Sequence, residues 1–297
     1  MQNAPAELER VDRLLITAYN APTRRAELAL YLRVQPDGWF VLADGDEIVS
    51  VAGAISYGSF CWVGLVATDP GYRGRGLAGR LSAHLVDWAW QRGCKTVALD
   101  ASEAGRPVYE RLGFQVAGFT AELELLALAG GDGGLADGER AGDGGRPGGG
   151  GGSPGRAARA VTGAGELVAL DLDVFGADRS ALLWALSEDG ERRCYGLPGG
   201  GGLAGYVFAG PGGLGPGCAR DEAAAAALAG AALRDAAAWA DPATRGRVLV
   251  PAESDYLPTL LGLGLAERRR LTHMRLGEQV LPGERHRLLA QTSYAAG

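Results

Sequence analysis

The segment Val66-Ala-Thr-Asp-Pro-Gly-Tyr-Arg-Gly-Arg-Gly-Leu-Ala-Gly-Arg80 holds the residues best suited to chemistry. An apolar strand runs into a tight turn containing Arg73-Gly74-Arg75-Gly76, and a helical pattern starts at Leu77. The free N–H groups of a first helical turn point outward, and the helix dipole adds partial positive charge there. Glycines let a phosphate approach the backbone with no Cβ in the way, and flanking arginines add full charges. The segment therefore predicts a pyrophosphate site. The Walker pattern GxxxxGK[ST] is absent. A dinucleotide reading is set aside because the upstream strand falls in a meander.

The elements that must position this loop follow from periodicity. Leu8, Val11, Leu14, Leu15 and Tyr19 recur at helical spacing, and residues 26–32 suggest a second, shorter helix. Residues 39–43 and 48–57 read as strands about the turn Asp44-Gly45-Asp46, and residues 60–68 as a third. Leu77, Leu81, Leu85 and Trp88 mark one face of a helix that closes at Gly93, and residues 96–99 a short buried strand. A helix over 107–112 has Pro107 in its first turn and Gly113 at its end, and strand resumes at Phe114. This order predicts a mixed α/β sandwich.

Arg73, Gly76 and Ala78, with Pro70 before them, resemble the acetyl-coenzyme A loop R/Q-x-x-G-x-G/A of the GNAT superfamily. The run Tyr109-Glu-Arg-Leu-Gly-Phe114, about thirty residues later, is similar to that superfamily's second signature. The resemblance implies an acetyl-CoA-dependent N-acetyltransferase acting on the primary amine of a small molecule or amino-acid-like acceptor by direct attack on the thioester. It implies that coenzyme A lies where strands 60–68 and 96–99 splay. Backbone groups at Val66 and Thr68 would bind the pantetheine arm, and the stretch Arg73, Gly74, Arg75, Gly76, Leu77 and Ala78 the pyrophosphate. Tyr109 would protonate the departing thiolate; otherwise it is a packing tyrosine. Asp100 and Glu103 are candidate bases, with helix capping as the alternative. His84 reads as a boundary residue, and Trp62 and Tyr57 as core residues that could line the acceptor pocket. The superfamily's opening strand has no good counterpart in residues 1–7.

Residues 130–156 are about half glycine and have little to bury, so they predict a linker. Beyond it, residues 249–265 can be laid without gaps on 98–114: Pro258 meets Pro107, Gly264 meets Gly113, and Leu260 stands in place of Tyr109. Pro216 is matched to the Pro70 turn, but no phosphate loop follows, and Asp221 and Glu222 in the first helical turn would repel a pyrophosphate. The stretch from Asp171 to Arg179, D-x-x-x-F-G-A-D-R, resembles the start of the degenerate C-terminal domain in tandem GNAT proteins. The expected organisation is an α/β chain of two GNAT-like domains, each a mixed, mostly antiparallel sheet flanked by helices. Residues 1–128 would be catalytic, 129–158 a Gly-rich linker and 159–297 degenerate. The alternative function is a non-catalytic acyl-CoA-binding sensor.

A net charge of -6, without a long Lys/Arg run, argues against nucleic acid as a partner. No apolar run is suited to crossing a bilayer or to a signal peptide, so a cytoplasmic monomer or homodimer is expected. Cys61, Cys94, Cys194 and Cys218 lie far apart with no CxxC spacing, which predicts buried thiols and no metal site.

Overall fold

A computed structural model describes residues 2–3, 7–125, 157–210, 212–239 and 246–297. The expected linker at 130–156 lies outside the described residues. The first half runs β1 (Gln2–Asn3), α1 (Leu8–Tyr19), α2 (Arg25–Val34), β2 (Trp39–Asp44), β3 (Glu47–Ser56), β4 (Phe60–Thr68), α3 (Leu77–Gln91), β5 (Thr96–Ala101), α4 (Arg106–Arg111) and β6 (Gln115–Leu125). The second runs β7 (Arg159–Ala160), α5 (Val168–Phe175), α6 (Ser180–Ser187), β8 (Arg193–Gly199), β9 (Gly202–Gly210), β10 (Gly213–Ala219), α7 (Glu222–Trp239), β11 (Arg247–Pro251), α8 (Leu257–Gly262), β12 (Leu265–Gly277) and β13 (Leu288–Ala290). The fold is mixed α/β with a mostly antiparallel sheet flanked by helices.

Three corrections to the sequence reading stand out. A short opening strand does exist: Gln2 and Asn3 pair antiparallel with Val41 and Phe40. An edge strand this short is held by backbone bonds, so its sequence needs no apolar alternation. Pro216 does not form a turn ahead of a helix; it lies inside β10, where the register against β9 shifts between Leu214 and Gly217. A proline has no N–H to give a ladder, so a break in register is where a strand accepts one. The third concerns how the sheet is shared between the halves.

The described strands join one sheet, in the order β1-β2-β3-β4-β5-β12-β6-β11-β10-β9-β8-β7, with β13 alongside β10. β12, from the second half, therefore lies between β5 and β6 of the first. β6 in turn lies between β12 and β11 of the second. The central β6–β12 ladder is long, from Leu265↔Leu125 to Arg275↔Gln115. Among the described residues only β4–β5 and β10–β11 pair in parallel, so the two flanks mirror each other about this ladder. The mirrored α4 and α8 each carry proline in their first turn, and Gly113 and Gly264 follow them at φ +90° and +93°. Leu260 is fully buried at the place corresponding to Tyr109.

Charge also crosses the exchanged strands. The buried carboxylate of Glu122 on β6 meets Arg268 at 2.7 Å and Arg247 at 3.5 Å, and Arg269 as well. Burial pushes its pKa up, but hydrogen bonds from Tyr294 and Arg269 and the arginine charges outweigh it and hold the carboxyl below its ordinary 4.5. Its stabilisation is complete above that ordinary value and is lost as pH falls through the lower folded one. Urea unfolding at stepped pH should show stability falling below about pH 4.5, and Glu122→Gln should cost roughly 1–3 kcal/mol at neutral pH while flattening that fall. A fall as steep in the variant as in the parent would exclude Glu122 as its source.

Candidate active site

The loop sits where the sequence puts it. Asp69 accepts from Gly71 N at 2.8 Å and closes a 3-10 turn over Pro70–Tyr72. Gly74 and Gly76 then take φ of +77° and +74°, and Gly76 is the N-cap of α3. A Cβ at either would meet nothing within 4 Å, so the backbone faces open space. Arg73, Gly74, Arg75 and Gly76 are exposed, and Leu77 and Ala78 partly buried. Arg73 donates through Nη2 to the Ala18 carbonyl at 2.8 Å, and Arg75 lies 4.5 Å from the Tyr72 ring centroid. An exposed glycine loop capping a helix, with two arginines beside it, fits a pyrophosphate.

The strand leading into the loop is bent. The register of β4 against β3 passes from Gly53↔Gly64 to Val51↔Ala67, so Leu65 and Val66 stand opposite Ala52 alone. Leu65 takes φ +50°, which only a strong local constraint imposes on a leucine. The parallel β4–β5 ladder runs from Phe60↔Thr96 to Trp62↔Ala98 and stops, although both strands continue. The strands thus part beside the bulge. The expected meander is no ground for setting a dinucleotide reading aside, since β4, α3 and β5 form a parallel crossover. The Val66 carbonyl accepts from Tyr19 Oη at 3.0 Å, and the Thr68 hydroxyl meets that of Ser50 at 2.9 Å.

Tyr109 lies on the α3 and α4 face, against Phe114 with ring centroids 5.8 Å apart. It is largely buried, and its hydroxyl makes no hydrogen bond among the described residues. Burial raises its pKa well above the ordinary 10, so it stays protonated at neutral pH. Tyr109 in turn helps raise the pKa of Tyr19, second to burial. Val66 at the bulge, Leu99 and Ala101 beyond the gap, and Tyr109 belong to one apolar cluster.

The other candidates divide. Ser102, not Asp100 or Glu103, caps the loop before α4, accepting from Gly105 N at 3.2 Å. Asp100 points instead into the sheet, where Oδ1 accepts from Thr120 at 2.9 Å and faces His273 Nδ1 at 3.0 Å. Glu103 is exposed. His84 packs edge-on against Phe40. Trp62 and Tyr57 are buried, Tyr57 Oη donating to the Ala296 carbonyl at 2.8 Å. The four cysteines are buried and free. Sequence reasoning missed Tyr19, Thr120 and His273, because the contacts that assemble them are not local.

Residues 8–114 match the Acetyltransferase (GNAT) family. This chain carries a GNAT domain. A stretch of 50 residues is 46% identical to glucosamine 6-phosphate N-acetyltransferase of Trypanosoma brucei brucei, covering 17% of this chain and 34% of that protein. The chain thus spans only about a third of that curated relative. A Pyrococcus horikoshii crystal structure, provisionally called an acetyltransferase, superposes over 99% of this chain and 93% of its own with TM-score 0.79 at 22% identity. A tandem GNAT protein from the clavulanic acid biosynthesis pathway superposes over 93% and 96% with TM-score 0.60 at 19% identity. The tandem GNAT fold thus extends through the second half, whose Asp221 caps α7 at Ala224 N, 2.8 Å away, where the first half has its glycine loop. Acetyl-CoA is the acyl donor of the GNAT family, and the loop and gap described above fit it. Among the described residues no helix is long and apolar enough to cross a membrane.

Proposed function

We propose that the GNAT domain transfers an acetyl group from acetyl-CoA to the primary amine of a small-molecule or amino-acid-like acceptor. The observation that carries this reading is the parting of β4 from β5 beside the Leu65 bulge, with the glycine loop at one end and Tyr109 on the α3 face. The amides from Arg73 to Ala78 and the two guanidinium groups would hold the pyrophosphate, and backbone groups at Val66 and Thr68 the pantetheine arm. Bound acetyl-CoA supplies an activated acyl carbon. Backbone donors on the bulged strand, fixed before the reaction, would stabilise the negative charge that develops on the acyl oxygen. Tyr109 would give its proton to the departing thiolate. The curated relative's name pairs an amine with a phosphate, which keeps the acceptor class among small polar amines. The second half would serve as a degenerate domain without a cofactor loop, in a protein acting in the cytoplasm.

Tyr109→Phe tests the assignment. Turnover should fall by about 10²–10⁴, while calorimetric affinity for acetyl-CoA stays within about twofold. Unchanged turnover would remove Tyr109 from the mechanism. Acetyl-CoA binding by a wild-type protein that acetylates no amine would favour the sensor reading instead.

A further inference from the structure

Beyond the donor site, the seam between the halves holds polar groups that its own structure leaves unanswered. Along β4 and β5, Trp62, Ala98 and Asp100 alternate with residues that pack under α3, and so face away from Tyr109. The Asp100 side chain is fully buried; Oδ1 is engaged by Thr120 and His273, but Oδ2 has no partner. Arg275 Nε donates to His273 Nε2 at 3.0 Å, which leaves the ring proton on Nδ1, directed at Asp100. Gln291 donates to Thr120 at 3.4 Å, and its own Oε1 is buried and unpaired. Buried acceptors without donors are rare and call for an explanation.

A cation lies across the same indole. The Arg285 guanidinium is 5.5 Å from the Trp62 ring and 5.0 Å from that of Phe175, while His273 stacks on Trp62 at 5.3 Å. Its one hydrogen bond, to the Phe175 carbonyl, is long at 3.5 Å, and it forms no ion pair among the described residues. Burial, then the charges of Arg179 and Arg275, push its pKa down to about 10; Asp100 and Glu253 oppose them. An anion bound beside the guanidinium would oppose this shift.

The complement of these groups is a molecule that offers N–H donors to Asp100 and Gln291 and anionic oxygens to Arg285. We propose that these groups bind the acceptor, a small primary amine bearing an anionic group, with Asp100 receiving the ammonium and Arg285 the carboxylate or phosphate. This rests on the acetyltransferase reading and places the acceptor across the β4–β5 gap from Tyr109. Asp100 Oδ2 takes one proton from the ammonium. The C–N bond then forms as the C–S bond breaks, with the electron pair leaving on sulfur. The second nitrogen proton leaves to solvent, and solvent reprotonates Tyr109 after it has given its proton to the thiolate. His273 is a positioning residue, contributed by the second half, that holds Oδ1 so that Oδ2 faces the amine.

The test uses the full chain and matched acceptors: amino acids against their amides, and glucosamine 6-phosphate against glucosamine. In a CoA-release assay the anionic member of at least one pair should have a kcat/KM at least about tenfold higher, and which pair does so identifies carboxylate or phosphate. Arg285→Gln should bring that ratio close to one, and Arg285→Lys should lower it partway, which decides the matter if the glutamine variant does not fold. Asp100→Asn should cut kcat by about 100-fold or more with acetyl-CoA affinity kept. His273→Gln should lower kcat with little change in KM. Equal use of both members in every pair, or a ratio that survives both Arg285 variants, overturns the proposal. Should acetyl-CoA bind but no amine react, the transferase reading fails by itself. Calorimetric titration of the same anionic amines into wild type and Arg285→Gln then judges the binding proposal: binding lost in the variant supports it, and no binding to wild type overturns it.

Discussion

Asp171→Ala should destabilise the protein by roughly 3–5 kcal/mol, because it leaves a fully buried guanidinium with no counter-charge. Arg179 Nη2 and Nε each reach Asp171 at 2.7 Å, and the side-chain exposures of the pair are 0% and 2%. Tyr206 donates to the same carboxylate, and the Arg179 guanidinium lies 3.9 Å from the Phe175 ring. The Asp171 charge, working against burial, holds the Arg179 pKa above its ordinary range. Arg179 also donates to Thr292 at 3.2 Å and to the Gly297 carbonyl at 3.4 Å, in the segment that covers Trp62. The loss should therefore appear as a melting midpoint lower by about 10 °C and as weakened acetyl transfer. Replacing both partners with apolar side chains should recover much of the stability. A single variant that loses less than about 1 kcal/mol in urea unfolding would show that Arg179 finds another partner.

Arg73→Glu with Arg75→Glu should weaken acetyl-CoA binding at least about 100-fold in a calorimetric titration. Two charge-assisted hydrogen bonds, each worth about 1.5–3 kcal/mol, would be exchanged for repulsion of the pyrophosphate. Arg73 also ties the loop to the end of α1 through the Ala18 carbonyl, so its reversal removes a tether as well as a charge. Among the described residues Arg75 meets the Tyr72 ring and, at 3.4 Å, the Gly71 carbonyl. Arg75→Glu alone should then cost about tenfold or more by charge, with the melting temperature within a few degrees of wild type because the residue is exposed. Binding by the double variant within about threefold of wild type would move the pyrophosphate elsewhere.

The loop was legible in the sequence because its chemistry is local: glycines at positive φ, a helix start and two arginines are contiguous. Tyr109 was legible through its neighbours, since Pro107 and Gly113 bound its helix. The D-x-x-x-F-G-A-D-R stretch was visible as a pattern, yet its reason is three-dimensional. Asp171 and Arg179 form the buried pair, and Asp178 accepts from Ser180 N at 2.9 Å. At Gly176, φ is +83° and a Cβ would come within 2.2 Å of Pro282. What could not be read is whatever depends on partners far along the chain. Asp100 looked like a cap because the next helix is near; its actual partner, His273, is 173 residues away. The strand exchange left no mark either, because an alternating strand carries the same pattern whichever neighbour it pairs with.

That exchange sets a timetable for synthesis. β6 ends at Leu125, but its neighbours β11 and β12 begin only at Arg247 and Leu265. At about 5–20 residues per second, β6 would wait many seconds on the ribosome with both edges unpaired. Unpaired edges are templates for aggregation, and charged side chains along them are a common defence. Glu122 places a charge on that edge, of the kind that defends an unpaired strand, and Arg268 and Arg269 pair with it once β12 is in place. The first half is made first, yet its sheet is completed only after β11 and β12 have been made.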